Sequence, residues 1–239
     1  MPTTEPALAI SGLNAYYGAA HILQNVEFRL DSGAVAVVGR NGMGKSTMCN
    51  AIMGLLPRVS GSIRFFGEEI IGKPPHRIAR AGIGYVPQGR RLFPSLNTEE
   101  HIRMIRADGG RWTLDEIYNL FPQLGQRRRL SAAQLSGGEK QMLAIGRALV
   151  SNPRLLIMDE PSEGLAPAIV QTLVETLRTL ADDGMHLLVV EQNLGVATAL
   201  AERQLIMLRG RIALETDAGV LASDVEIQQR YLGVARSDS

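Results

Sequence analysis

Ala34-Val35-Ala36-Val37-Val38 runs without a break into Gly39-Arg40-Asn41-Gly42-Met43-Gly44-Lys45-Ser46, and this junction decides the fold. An apolar run with no polar alternation reads as a strand buried on both faces. The loop after it has the spacing G-x-x-x-x-G-K-[ST], which lets backbone amides converge on phosphate oxygens without side-chain obstruction. Lys45 supplies charge to the outer phosphates, Ser46 offers a hydroxyl ligand for Mg²⁺, and Thr47 lies beside them. A helix is expected from Lys45 to about residue 56, closed by Pro57. Strand, loop and helix thus follow in the order a phosphate site requires.

Working outward, residues 8–13 and 26–30 read as short β-rich runs, and 62–66 as a strand that turns at Gly67. From about 92 to 134 the texture is helical, with Asn97 as a cap and Glu99 and Glu100 in the first turn, where the helix dipole favours negative charge. This stretch reads as an inserted helical subdomain. After Gly137-Gly138 a helix is expected to about 150, then a buried strand at 155–158 and a helix starting near Pro167. A strand at 187–190, a helix at 194–201 and a strand at 205–208 continue the alternation. Such alternation implies a mainly parallel sheet covered by helices.

Leu155-Leu156-Ile157-Met158-Asp159-Glu160 places an acid pair where a buried parallel strand emerges, the edge at which such sheets bind ligands. Asp159 suits the Mg²⁺ shell and Glu160 suits the polarisation of water attacking a γ-phosphate. Gln88, after the short apolar strand that ends Tyr85-Val86-Pro87, can reach both metal and water. Leu135-Ser136-Gly137-Gly138-Glu139-Lys140-Gln141 is a second glycine turn opening a helix, again an anion site. One ATPase fold does not need two such turns for one nucleotide; a dimer in which the second turn faces the partner's γ-phosphate removes the redundancy. Tyr17 can stack on adenine or simply pack. Histidines 21, 76, 101 and 186 show no metal spacing, and Arg127-Arg128-Arg129 reads as a solvated helix face.

The chain has 239 residues, 45% hydrophobic and 21% charged, enough for one large globular domain. A formal charge of +1 gives no general reason to expect nucleic acid or an anionic membrane as partner. The single cysteine, Cys49, fits a reducing compartment. The first residues lack the build of a secretory signal, and no apolar stretch reaches the roughly 18 residues of a membrane span.

These motifs, in this order, resemble an ABC-transporter ATP-binding subunit over about residues 7–234. Closer still, Gly39-Arg40-Asn41-Gly42, Tyr85-Val86-Pro87-Gln88-Gly89-Arg90-Arg91-Leu92-Phe93-Pro94, Ser162-Glu163-Gly164-Leu165-Ala166-Pro167 and Val190-Glu191-Gln192-Asn193 are similar to the smaller ATPase of branched-chain amino-acid importers. Urea and short-amide importers share much of the pattern. The resemblance implies an α/β fold: a P-loop NTPase core with a mainly parallel sheet, an N-terminal antiparallel β subdomain and an inserted α-helical subdomain. It divides the chain into a core of 7–91 and 136–234, a helical subdomain of 92–135 ending in the signature, and flexible tails at 1–6 and 235–239.

The resemblance implies ATP and Mg²⁺ as cofactors. ATP lies on Tyr17, Gly39, Arg40, Asn41, Gly42, Met43, Gly44, Lys45, Ser46 and Thr47; Ser46, Gln88 and Asp159 hold the metal; Glu160, Gln192 and Gln88 act on the water. Leu135, Ser136, Gly137, Gly138, Glu139 and Gln141 then meet the ATP of a second copy of the fold, as two such subunits close head to tail. Implied partners are two transmembrane permeases, a second related ATPase in a heterodimer, or a homodimer in isolation, and indirectly a solute-binding protein, with no direct nucleic acid. The expected place is the cytoplasmic face of the inner or plasma membrane. Two positions depart from the general pattern: Ala166 replaces an aspartate that crosses the dimer interface, implying weaker cross-talk, and Gln192 replaces the switch histidine, so it can hydrogen-bond but carries no proton at neutral pH. The rival of another class, a soluble ABC ATPase acting on DNA ends or ribosomes, usually carries two ATP-binding domains or a long coiled-coil insertion, and this chain has neither.

Overall fold

The computed structural model describes residues 5–105 and 110–233. Residues 1–4 of the expected N-terminal tail, the whole of the expected C-terminal tail at 235–239 and residue 234 before it lie outside the described residues. The chain opens with β1 (Leu8–Tyr17) and β2 (Ala20–Leu30), an antiparallel hairpin longer at both strands than the apolar runs alone predict. Then come β3 (Ala34–Val38) and α1 (Lys45–Ile52). β4 (Val59–Phe65) and β5 (Glu68–Glu69) complete a four-stranded sheet in the order β2-β1-β4-β5. α2 (Pro75–Arg80) leads to β6 (Ile83–Val86).

The stretch between β6 and the signature carries α3 (Thr98–Arg103), α4 (Leu114–Leu120) and α5 (Pro122–Gln126). Asn97 caps α3 with the expected geometry: its side chain accepts from the Glu100 amide while the Glu100 carboxylate accepts from the Asn97 amide. Then follow α6 (Gly137–Leu149), β7 (Leu155–Asp159), α7 (Pro167–Asp182), β8 (His186–Glu191), α8 (Leu194–Leu200), β9 (Arg203–Leu208), β10 (Arg211–Asp217) and α9 (Ala218–Ser223).

The second sheet runs β10-β9-β3-β8-β7-β6, with β10 antiparallel at one edge and the other pairings parallel. Its inner strands are buried on both faces, and period two sorts their side chains between two cores. Val35, Val37, Leu155, Ile157, Leu188 and Val190 face one; Leu156, Met158, Leu187 and Val189 face the other. α1 lies in the first core, its Met48, Cys49 and Ile52 packed between the two sheets. It ends earlier than Pro57 predicts. Gly54, at φ 67°, donates to the Ala51 carbonyl and Leu55 donates to that of Asn50, the paired bonds of a Schellman stop.

The second core joins the inserted helices to the rest of the chain. Ile102, Ile117, Phe121 and Leu124 pack with Leu143, Ile145 and Leu149 of α6, so the expected division at 135/136 runs through one hydrophobic cluster.

Candidate functional site

Four loops leave the carboxyl ends of β3, β8, β7 and β6, which are consecutive in the sheet, and they converge on one edge. The loop after β3 enters α1 through Gly44, whose φ of 103° only glycine adopts without strain. No side chain caps this helix and no acid occupies its first turn, so its first amides face outward unpaired by the chain's own side chains. Around them Tyr17, Asn41, Gly42, Gly44, Lys45, Ser46, Thr47, Gln88 and Glu160 line a cleft of about 460 Å³. Tyr17 is half exposed at its rim. Met43 instead tucks inward, its Sδ accepting from the Arg209 amide and its carbonyl from Gly210, so its part in any phosphate contact is confined to backbone.

Lys45 is 4% exposed. Its Nζ donates to the carbonyls of Gly39 at 2.7 Å and Arg40 at 3.2 Å and pairs with Glu160 Oε1 at 3.0 Å. Glu160 is itself nearly buried and sits at φ 50°, a left-handed conformation for a residue with a Cβ. Its amide donates to the Val190 carbonyl at 2.8 Å, which holds that strained turn against β8. Asp159, one residue earlier, is 2% exposed, and its Oδ1 has no hydrogen-bond partner. Burial pushes its carboxyl up, and the nearby Ser46 hydroxyl pulls it down. An orphaned buried carboxylate oxygen next to a serine hydroxyl is the donor set a hard divalent cation takes.

Gln88 donates through Nε2 to Glu160 Oε2 at 3.1 Å and to Glu163 Oε2 at 3.0 Å. Beyond it the chain passes through three left-handed residues, Gly89, Arg90 and Arg91. Arg147 of α6 grips this bend by donating to the carbonyls of Arg91 and Arg90, and Arg90 in turn donates to Gln141 of α6 and to the Glu163 carbonyl. A second cleft, about 630 Å³, adjoins the first and shares Asn41 and Glu160 with it; Gln192 lines it with Ser162, Glu163 and Glu191. A wider cleft among Asp31, Gly33, Arg178 and Glu202 opens at the amino ends of β3 and β9, the edge away from these loops.

The 135–141 turn lines neither of the two adjoining clefts. Leu135 and Gln141 are buried, and Glu139 is engaged in a capping box with Ser136 and in an ion pair with Arg127, so these three face their own chain. Gly138 is pressed against α7, where an added Cβ would come within 2.8 Å of Ile169 Cγ2. Gly137 has no such neighbour: its nearest atoms would lie at 3.7 and 4.0 Å. Arg90, Glu163 and Glu191 appear in the quoted motifs, yet spacing alone assigns them no place; their side chains join segments 29 to 75 residues apart.

A protein with this sheet order and this loop is a P-loop ATPase. Residues 23–163, more than half of the chain, match the family described as ABC transporter, and the chain belongs to that family. It is 40% identical over 95% of its length to the high-affinity branched-chain amino acid transport ATP-binding protein BraG of Pseudomonas aeruginosa, 99% of which is covered. It is 33% identical over 93% of its length to the probable branched-chain amino acid transport ATP-binding protein LivF of Archaeoglobus fulgidus, covering 97% of it. The fold matches a nucleotide-free ATP-binding cassette from an ABC transporter with a TM-score of 0.83 at 22% identity, over 97% of this chain and all of that one. The chain is thus an ATP-binding, ATP-hydrolysing subunit of a transporter. Among the described residues no helix is long and apolar enough to cross a membrane.

Proposed function

We propose that this chain powers uptake of branched-chain or related amino acids through partner permeases, with the likeness to BraG over nearly the whole length as the observation that carries the substrate class. Tyr17 stacks on the adenine and residues 39–47 wrap the phosphates. The orphaned Asp159 Oδ1, with Ser46 and Gln88, holds Mg²⁺; when bound, the ion neutralises charge on the phosphates. Glu160 accepts the proton of the attacking water, and Gln192 hydrogen-bonds to the γ-phosphate. Lys45 pairs with Glu160 at 3.0 Å, so the ammonium that meets the phosphates lies beside the carboxylate that takes the proton.

The openness at Gly137 supports a ligand arriving from outside the chain, the ATP of a second, related ATPase subunit. In this reading the assembly is a heterodimer at the cytoplasmic face of two transmembrane permeases, served by a solute-binding protein, and residues 92–135 form a helical subdomain within one ATPase domain spanning 7–234. The test is reconstitution with the permeases that co-purify with the chain. ATP should drive uptake of labelled leucine, isoleucine or valine, and Glu160→Gln should bind ATP with parent affinity yet lose at least about 100-fold in hydrolysis. Uptake confined to another solute class would overturn the substrate assignment. Parent-rate hydrolysis by Glu160→Gln would remove the base.

A further inference from the structure

At the last position of β8 stands Glu191, 2% exposed, to which neither spacing nor resemblance gives a role. Its Oε1 accepts from the Ser162 amide at 3.0 Å; its Oε2 accepts from the amides of Gln192 at 3.1 Å and Asn193 at 3.2 Å. Its backbone carbonyl accepts from the amide of Gly39, the first residue of the phosphate loop, at 3.3 Å. Three loops of the nucleotide site therefore meet on one residue: the phosphate loop, the turn that carries Glu160, and the segment that carries Gln192. A carboxylate buried this deeply is costly unless donors answer its oxygens. Here the donors are backbone amides of the reacting loops themselves.

We propose that Glu191 is a positioning residue for hydrolysis: its carboxylate fixes Gln192 relative to Glu160 by bonding both segments at once. The proposal rests on the ATPase reading above. Chemistry restricts the role to a carboxylate. A hydroxyl is too short to span both segments, and a glutamine offers one acceptor oxygen while its NH₂ would confront a second donor. Substituting Glu191→Gln therefore detaches either Ser162 or the Gln192-Asn193 pair while preserving size and shape.

Hydrolysis by the chain in its native assembly provides the test, with kcat and KM read separately. Glu191→Gln should lower kcat about tenfold, the effect of losing one charge-assisted hydrogen bond, with KM for ATP held within roughly twofold. In a Gln192→Ala background the same change should cost less than about twofold, because no switch side chain remains to be misplaced. A parent-like kcat, an equal fractional loss in both backgrounds, or a KM that rises in step with the fall in kcat would each overturn the proposal. Thermal unfolding checks that the variant folds. If it does not, Glu191→Asp, which keeps the charge but retracts both oxygens, carries the same two-background comparison. Parent-rate hydrolysis by Glu160→Gln would be a different failure, that of the base assignment, while loss of all hydrolysis in the parent assembly would be failure of the ATPase reading itself.

Discussion

Two helices in this chain begin at glycine-rich turns, and the turns are built in opposite ways. α1 starts at Gly44 with no side-chain cap and no acid in its first turn. α6 starts at Ser136, whose hydroxyl accepts from the Glu139 amide at 3.2 Å while the Glu139 carboxylate accepts from the Ser136 amide at 2.8 Å. The first turn leaves its donors to a ligand; the second has answered part of its own need and offers chiefly the bare backbone of Gly137. Glycine at a positive helix end is thus not sufficient to define a phosphate cradle within a chain. What the side chains around it already satisfy decides whether the turn serves its own cleft or a surface brought by another subunit.

The largest expected effect falls on the uncapped turn. Lys45→Ala should weaken ATP binding by about 100-fold in a titration without hydrolysis, roughly 2.7 kcal/mol. Unchanged affinity would break the contrast, since α1 would then hold phosphate no better than α6. Next come the paired glycines of the capped turn. Gly137→Ala should cut hydrolysis in the native assembly about tenfold if, as proposed, the partner's nucleotide meets this glycine, and its thermal midpoint should not fall, since an added Cβ has no neighbour closer than 3.7 Å. Gly138→Ala should do the reverse in part, lowering the midpoint by about 2–4 °C as its Cβ meets Ile169. If Gly137→Ala hydrolysed at the parent rate, the outward-facing role of this turn would be lost.

The smallest effect sharpens the comparison through pH. The Ser136 amide, chiefly, holds the Glu139 carboxyl below its usual 4.5. A depressed carboxyl stabilises the fold fully above its unfolded value, and this contribution disappears as pH falls through the folded value. Calorimetry should therefore find Glu139→Gln about 2 °C less stable than the parent at pH 7. The gap should begin to close below pH 4.5.

Where the sequence was readable, and where it was not, follows from the range of the interactions. The junction of β3 with α1 combines an apolar run with a glycine motif, both local signals, and the parallel core was legible from it. α1 stops at Gly54 and not at the expected Pro57; the glycine's role depends on left-handed backbone that composition does not display. β10 carries no apolar run to announce it: its burial alternates between exposed and partly buried residues along an edge strand that carries Arg211 and Glu215. In the site, motif residues such as Lys45, Ser46 and Glu160 line one cleft, as their spacing suggests. Glu139, expected at the partner's nucleotide, bonds to Ser136 and Arg127, and Gln141 Oε1 accepts from Arg90, contacts within the chain that spacing does not display. Arg90, Glu163 and Glu191 each make contacts between distant segments, which no local pattern announces.

The order β3-β8-β7-β6 carries a consequence for how such a machine varies. Neighbouring strands are about 4.8 Å apart, so the four loops are spaced along an edge of about 14 Å by the hydrogen-bond lattice of the sheet. The lattice acts as a ruler that no single loop can stretch. Side chains such as Gln192 or Ala166 can be exchanged without changing this spacing, because the ruler and not the loop sets the interval. Each station can thereby be retuned by itself while the gauge of the whole row stays constant.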